Sequence, residues 1–175
     1  MTTVIDLLDI DGAGVPSGVR SSVAPKTGSL EMTILMADDD EDDRLLAAEA
    51  LRLAHIVNPL FCVADGEELM DYLHHRGQYA SSLVAPRPGI VLLDLNMPRK
   101  DGRAALKEIK RDPDLRSIPV VVFTTSETPE DIEWVYATGG NSFISKPVTF
   151  EGLVSTLKAL GEFWFQAARL PGVNP

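Results

Sequence analysis

Ile90-Val91-Leu92-Leu93-Asp94 sets four branched apolar residues in a row and stops them on an acid. An apolar run of that length is the pattern of a strand buried on both faces. Outward from it the pattern recurs. Met32-Thr33-Ile34-Leu35-Met36-Ala37 precedes Asp38-Asp39, Leu60-Phe61-Cys62-Val63-Ala64 follows a Pro, Pro119-Val120-Val121-Val122-Phe123 runs into Thr124-Thr125-Ser126, and Asn141–Ser145 makes a brief fifth strand. The intervening segments have helical spacing. Leu45, Leu46, Ala48, Leu51 and Leu53 follow the acids Asp40–Asp43, which suit the positive end of a helix, and Asn58-Pro59 stops it. Asp65-Gly66-Glu67-Glu68 opens a second helix through about His74, closed by Gly77. Arg103–Arg111 is a third, Thr128-Pro129 opens a fourth that ends at Gly139-Gly140, and Thr149 caps a last one running to about Arg169. Strands alternating with helices imply an α/β domain with a parallel sheet covered on both faces.

The chain has 175 residues, 45% hydrophobic and 24% charged, which is the composition of one globular domain with some tail. Its 16 Lys and Arg against 26 Asp and Glu leave a formal charge of -10, which argues against nucleic-acid binding and against a polybasic membrane anchor. Cys62 is the only cysteine, so neither an internal disulfide nor a cysteine zinc site can form. The N-terminus lacks a signal-peptide pattern and no run of about 18 apolar residues occurs, so a cytoplasmic protein is expected. Residues 1–30, rich in Gly, Pro and Ser, are expected to be a flexible N-terminal extension with a short ordered piece at Val4–Leu8. The domain is then 31–170, with a tail at 171–175.

In a doubly wound sheet the site lies beyond the carboxyl ends of the strands. The first strand ends in Asp38-Asp39, the third in Asp94 and the fourth in Thr124, while Lys146-Pro147 follows the fifth. Carboxylates converging on one edge repel, and a hard divalent cation removes that cost. A lysine and a hydroxyl beside them suit phosphoryl oxygens. The residues therefore predict a Mg²⁺ site that handles phosphoryl groups.

Four signatures, in order, carry a resemblance: Ile34-Leu35-Met36-Ala37-Asp38-Asp39-Asp40, Leu92-Leu93-Asp94-Leu95-Asn96-Met97-Pro98-Arg99-Lys100-Asp101-Gly102, Val121-Val122-Phe123-Thr124 and Phe143-Ile144-Ser145-Lys146-Pro147. Over about residues 32–170 the chain resembles the receiver domain of two-component response regulators. The resemblance implies a flavodoxin-like (βα)5 sandwich with strand order 2-1-3-4-5. It implies Asp94 as phospho-acceptor, and Mg²⁺ held by Asp38, Asp39, Asp94 and the backbone carbonyl of Asn96. It also implies Thr124 as switch hydroxyl, Phe143 as switch aromatic, Lys146 on the phosphoryl oxygens and a cis Lys146–Pro147 peptide. Thr125 stands where Ala is common, but only Thr124 has the family's spacing to Asp94 and Lys146. Asn96 and Ser126 are expected to tune hydrolysis. With no effector domain after it, the chain reads as a stand-alone regulator partnered by a sensor histidine kinase. Its output would be the face of the fourth helix, fifth strand and last helix. Arg76-Gly77-Gln78-Tyr79 and the ending Phe163-Trp164…Leu170-Pro171 resemble the small regulators of bacterial and cyanobacterial phytochrome kinases.

Other readings compete. Asp38, Asp40, Asp42 and Glu49 match EF-hand positions, but Asp43 stands where the turn needs Gly. Asp9-Ile10-Asp11-Gly12 mimics the opening motif of haloacid-dehalogenase-type phosphatases, yet a Gly/Pro coil follows it. A small Mg²⁺-dependent phosphatase using Asp94, or a non-phosphorylated docking module, are the alternatives; Asn96 occupies the place of the phosphatase acid, and none of the acids, Thr or Lys is lost. The stripe Leu153, Leu157, Leu160, Trp164 and Ala167 reads as the core face of the last helix. Phe163, Trp164 and Phe165 point three ways around it, so a second apolar surface and a homodimer are expected.

Overall fold

The apolar runs from Ile34, Leu60, Ile90 and Val120 become four- and five-residue strands with every residue buried, as a sheet covered on both sides requires, while Ser142–Ser145 at the margin is half-buried. The computed structural model describes Thr3–Ile5 and residues 32–170. In chain order the elements are β1 (Thr3–Ile5), β2 (Ile34–Ala37), α1 (Glu41–Leu53), β3 (Leu60–Val63), α2 (Gly66–Leu73), β4 (Ile90–Leu93), α3 (Gly102–Arg111), β5 (Val120–Thr124), α4 (Pro129–Thr138), β6 (Ser142–Ser145) and α5 (Phe150–Gly161). A 3₁₀ turn at Gly77–Tyr79 follows α2.

The sheet order is β1-β3-β2-β4-β5-β6. The last five of these are parallel, in the expected order 2-1-3-4-5. A sixth strand, overlapping the ordered piece expected at Val4–Leu8, is added to these five. Thr3–Ile5 pairs antiparallel with β3, Thr3 opposite Cys62 and Ile5 opposite Leu60. Three residues carry too weak a period to be read as a strand, and only the neighbouring edge supplies their hydrogen bonds. The rest of the expected extension at 1–30, the Asp9–Gly12 motif and the tail at 171–175 lie outside the described residues.

Strand alternation sorts the core into two layers. Leu35, Val63, Val91, Leu93, Val120 and Val122 face α2, α3 and α4 through Leu69, Tyr72, Leu106, Ile109 and Val135. Ile34, Met36, Ile90, Leu92, Val121 and Phe123 face α1 and α5 through Ala47, Ala50, Leu51, Leu157 and Leu160. Cys62 lies buried in the second layer.

Two expectations are corrected. The last helix does not run regularly to about Arg169. It leaves α geometry at Gly161 and makes a wide π turn over Glu162–Ala167, closed by the Ala168 N–H donating to the Phe163 carbonyl at 2.8 Å. The extra residue in that turn rotates the end of the helix, so Ala167 is exposed while Trp164 and Phe165 pack on the core. A Cβ at Gly161 would lie 2.5 Å from Ile56 Cδ1, so Ile56 packs on the helix at the point where the glycine leaves room for it. No peptide bond among the described residues is cis, so Lys146–Pro147 is trans, the lower-energy form for an X–Pro bond.

Candidate functional site

The parallel register brings the ends of β2 and β4 level. The Asp94 N–H donates to the Ala37 carbonyl at 2.9 Å, and the Asp38 N–H donates to the Val63 carbonyl at 3.1 Å. Asp38 and Asp94 are 1% and 6% exposed, while Asp39 is exposed. A carboxylate oxygen from each of Asp38, Asp39 and Asp94 lies within 4.8 Å of the others. Burial raises the Asp38 carboxyl to about 6, more than the hydrogen bond and charge of Lys146 can offset. An all-oxygen donor set of two buried carboxylates and one exposed one, with charges undercompensated by Lys146, fits a hard divalent cation.

Lys146 follows β6 and is fixed by its own N–H, which donates to the Thr124 carbonyl at 2.8 Å. Its Nζ lies 2.7 Å from Asp38 Oδ2, 2.6 Å from Asp43 Oδ2 and 3.4 Å from Asp94 Oδ2. Burial works against the ammonium, but Asp38 and Asp43 outweigh it and raise its pKa. Thr124 is fully buried at the end of β5, its Oγ1 accepting from Ser126 N–H at 3.3 Å. Phe143, on β6, packs with Trp134 against the core, and its N–H donates to the Tyr136 hydroxyl at 3.3 Å. Asn96 is exposed just past Asp94, and its N–H donates to Asp94 Oδ1 at 3.2 Å.

The loop from β4 to α3 is pinned at both ends. A Cβ on Gly102 would collide with the Asp94 carbonyl, so only glycine lets α3 start this close to the cluster. Gly66 likewise leaves no room for a Cβ under Lys100, whose carbonyl accepts from Gly66 N–H at 3.1 Å. Arg99, at a φ of 61°, pairs with the fully buried carboxylate of Asp65. Asp65 also caps α2, accepting from Glu67 and Glu68 N–H at 2.8 and 2.9 Å.

The structure thus brings Asp38, Asp39, Asp94, Asn96, Thr124 and Lys146 to one sheet edge. It does not bring Phe163, Trp164 and Phe165 there. Phe163 is 56% exposed and meets Trp164 edge to face at 5.0 Å between ring centres, whereas Trp164 and Phe165 are partly buried on the core. Two contributors stand outside the sequence reading. Asp43 belongs to an acidic run that reads as a solvated helix start, and only folding turns its carboxylate onto Lys146. Arg44 Nη1 donates to the Asp38 carbonyl at 2.5 Å. Among the described residues no helix is long and apolar enough to cross a membrane.

Residues 34–158 match the family model of the response regulator receiver domain. Response regulator Rcp1 of Synechocystis is 38% identical over 138 residues, covering 79% of this chain and 92% of its own length. Its solved Mn²⁺-bound form superposes with a TM-score of 0.74 at 37% identity, over 81% of this chain and 99% of that one. The phosphorylated cyanobacterial phytochrome response regulator RcpA is 41% identical with a TM-score of 0.75, over 81% and 99%. A response regulator in red light signaling of R. palustris gives 37% and 0.77, again over 81% and 99%. The aligned span takes in the acidic edge, the Thr124 strand end and Lys146, and the chain belongs to the response regulator receiver domain family.

Proposed function

We propose that this receiver takes a phosphoryl group from a sensor histidine kinase onto Asp94. The observation that carries this reading is Lys146 Nζ beside Asp38 and Asp94 on one buried carboxylate edge. Asp94 Oδ attacks phosphorus, an O–P bond forms, and the P–N bond to imidazole breaks with its electron pair on nitrogen. Lys146 stabilises charge on the phosphoryl oxygens. Asp38, Asp39, Asp94 and the Asn96 carbonyl would hold Mg²⁺, which when bound neutralises charge on those oxygens.

Thr124 turns its hydroxyl to the new anion and Phe143 follows, repopulating the α4–β6–α5 face. Asn96 and Ser126 tune hydrolysis of the acyl phosphate. Likeness to RcpA and to the R. palustris regulator supports a phytochrome-type kinase as partner. The exposed ring of Phe163 supports a homodimer through the end of α5. The domain reads as a cytoplasmic switch that turns over only its own phosphoryl group.

The test is intact mass after incubation with Mg²⁺ and an acyl phosphate donor. Wild type should gain one phosphoryl group and Asp94→Asn none. An adduct on both proteins, or on neither, would sink the assignment. Sedimentation of wild type and Phe163→Glu tests the dimer, which a monomeric wild type at high concentration rules out.

A further inference from the structure

Lys146 has one ammonium and three carboxylates around it, and the nearest is not the one that takes the phosphoryl group. Nζ is 2.6 Å from Asp43 Oδ2 and 3.4 Å from Asp94 Oδ2. Asp43 stands in the first turn of α1, where its N–H is held by the Asp40 cap. Its side chain is 35% exposed, whereas that of Lys146 is 11% exposed.

We infer that Asp43 is a positioning residue that competes with the phosphoryl group for Lys146 and so restrains phosphorylation of this receiver. The inference rests on the reading of Asp94 as phospho-acceptor. A phosphoryl group brings close to two negative charges to the same edge. Lys146 has to be drawn onto its oxygens, and its 2.6 Å contact with Asp43 is the one that must be given up. The cost is modest because Asp43 is exposed enough for water to replace the ammonium. Asp38 and Asp94 are too buried for that substitution. The competition therefore falls on Asp43, and the carboxylate at position 43 sets how tightly the edge holds an anion.

The experiment compares wild type, Asp43→Asn, Asp43→Glu and Asp42→Asn in Mg²⁺. Two quantities are read: the rate of labelling by an acyl phosphate donor, and the equilibrium affinity for beryllium fluoride, which places a tetrahedral anion on the acceptor carboxylate. Asp43→Asn should raise both about fivefold, the worth of one partly exposed ion pair. Asp42→Asn removes the same charge one residue away and should leave both within about twofold. Asp43→Glu keeps the carboxylate and should stay nearer wild type than Asp43→Asn. Equal or weaker anion affinity in Asp43→Asn overturns the inference, as does an equal gain in Asp42→Asn, which would make the effect general charge. Wild type that neither labels nor binds beryllium fluoride overturns the receiver chemistry itself, a result distinct from these.

Discussion

Arg103 on α3 grips Asp131 on α4, its Nε 2.9 Å from Asp131 Oδ1 and its Nη2 2.7 and 2.6 Å from Oδ1 and Oδ2. Ser126 Oγ donates to the same carboxylate at 2.6 Å. The loop leaving Thr124 is thereby tied to two helices. Arg103, then Ser126, holds the Asp131 carboxyl below the usual carboxylate range.

Asp131→Asn should therefore lower stability by about 1 kcal/mol near neutral pH. The sign comes from a folded pKa below the unfolded one. The stabilisation is complete above about pH 5 and is lost as pH falls through the unfolded and then the folded pKa. Melting curves of both proteins should differ by a constant amount from about pH 5 to 8 and converge in stronger acid. A gap that widens on acidification would contradict this.

Gly102→Ala should cost about 1–3 kcal/mol, because its methyl would drive α3 off the Asp94 carbonyl. Urea unfolding measures it, and a loss below half a kcal/mol would show that the helix start shifts freely. The same variant should label more slowly, since Asp94 sits on the strand end that moves.

Asp65→Ala should cost about 2 kcal/mol, combining a lost helix cap with a lost ion pair. Asp65→Asn keeps a capping oxygen and should cost less. Equal losses in urea unfolding would mean that Arg99 contributes the whole effect.

Much of this architecture was legible in the chain. The strands from Ile34, Leu60, Ile90 and Val120 were visible because residues buried on both faces must be apolar, and those from Ile34 and Ile90 stop directly on an acid. The edge cluster was legible because Asp38, Asp39, Asp94, Thr124 and Lys146 are local punctuation of those strands. What escaped reading depends on distant partners. Thr3–Ile5 has no pattern of its own and exists as a strand only against β3. Asp43 and Asp42 look alike in sequence, and helix phase alone decides which one meets Lys146. The π turn after Gly161 adds one residue to a helical period, which left Ala167 outside the stripe assigned to it.

Lys146→Ala should still carry its phosphoryl group on Asp94 but acquire it about a hundredfold more slowly, the usual cost of removing one charge-stabilising donor. Asp39→Asn should weaken the response to Mg²⁺ in the same intact-mass assay. Wild-type rates in either variant would remove that residue from the site.

Thr124→Ala should accept the phosphoryl group without passing the signal to Phe143. Trp134 and Phe143 pack on the same core layer, so Trp134 fluorescence in a Trp164→Phe background reports the step. Wild type should respond to labelling and Thr124→Ala should not. An equal response would place the trigger elsewhere.

The antiparallel pairing of Thr3–Ile5 gives the sheet two unlike margins. A bare outer strand is a template onto which any extended peptide can hydrogen-bond. On the β3 side the protein's own N-terminus occupies that template, with its direction reversed relative to every other strand. Growth of the sheet by recruitment of a foreign strand is thus obstructed at one flank, where the outer strand is only three residues long, and left to β6, the flank that borders α4 and α5. Any fusion or trimming that removes the first five residues would unmask the blocked flank, turning a monomer-compatible boundary into an adhesive one.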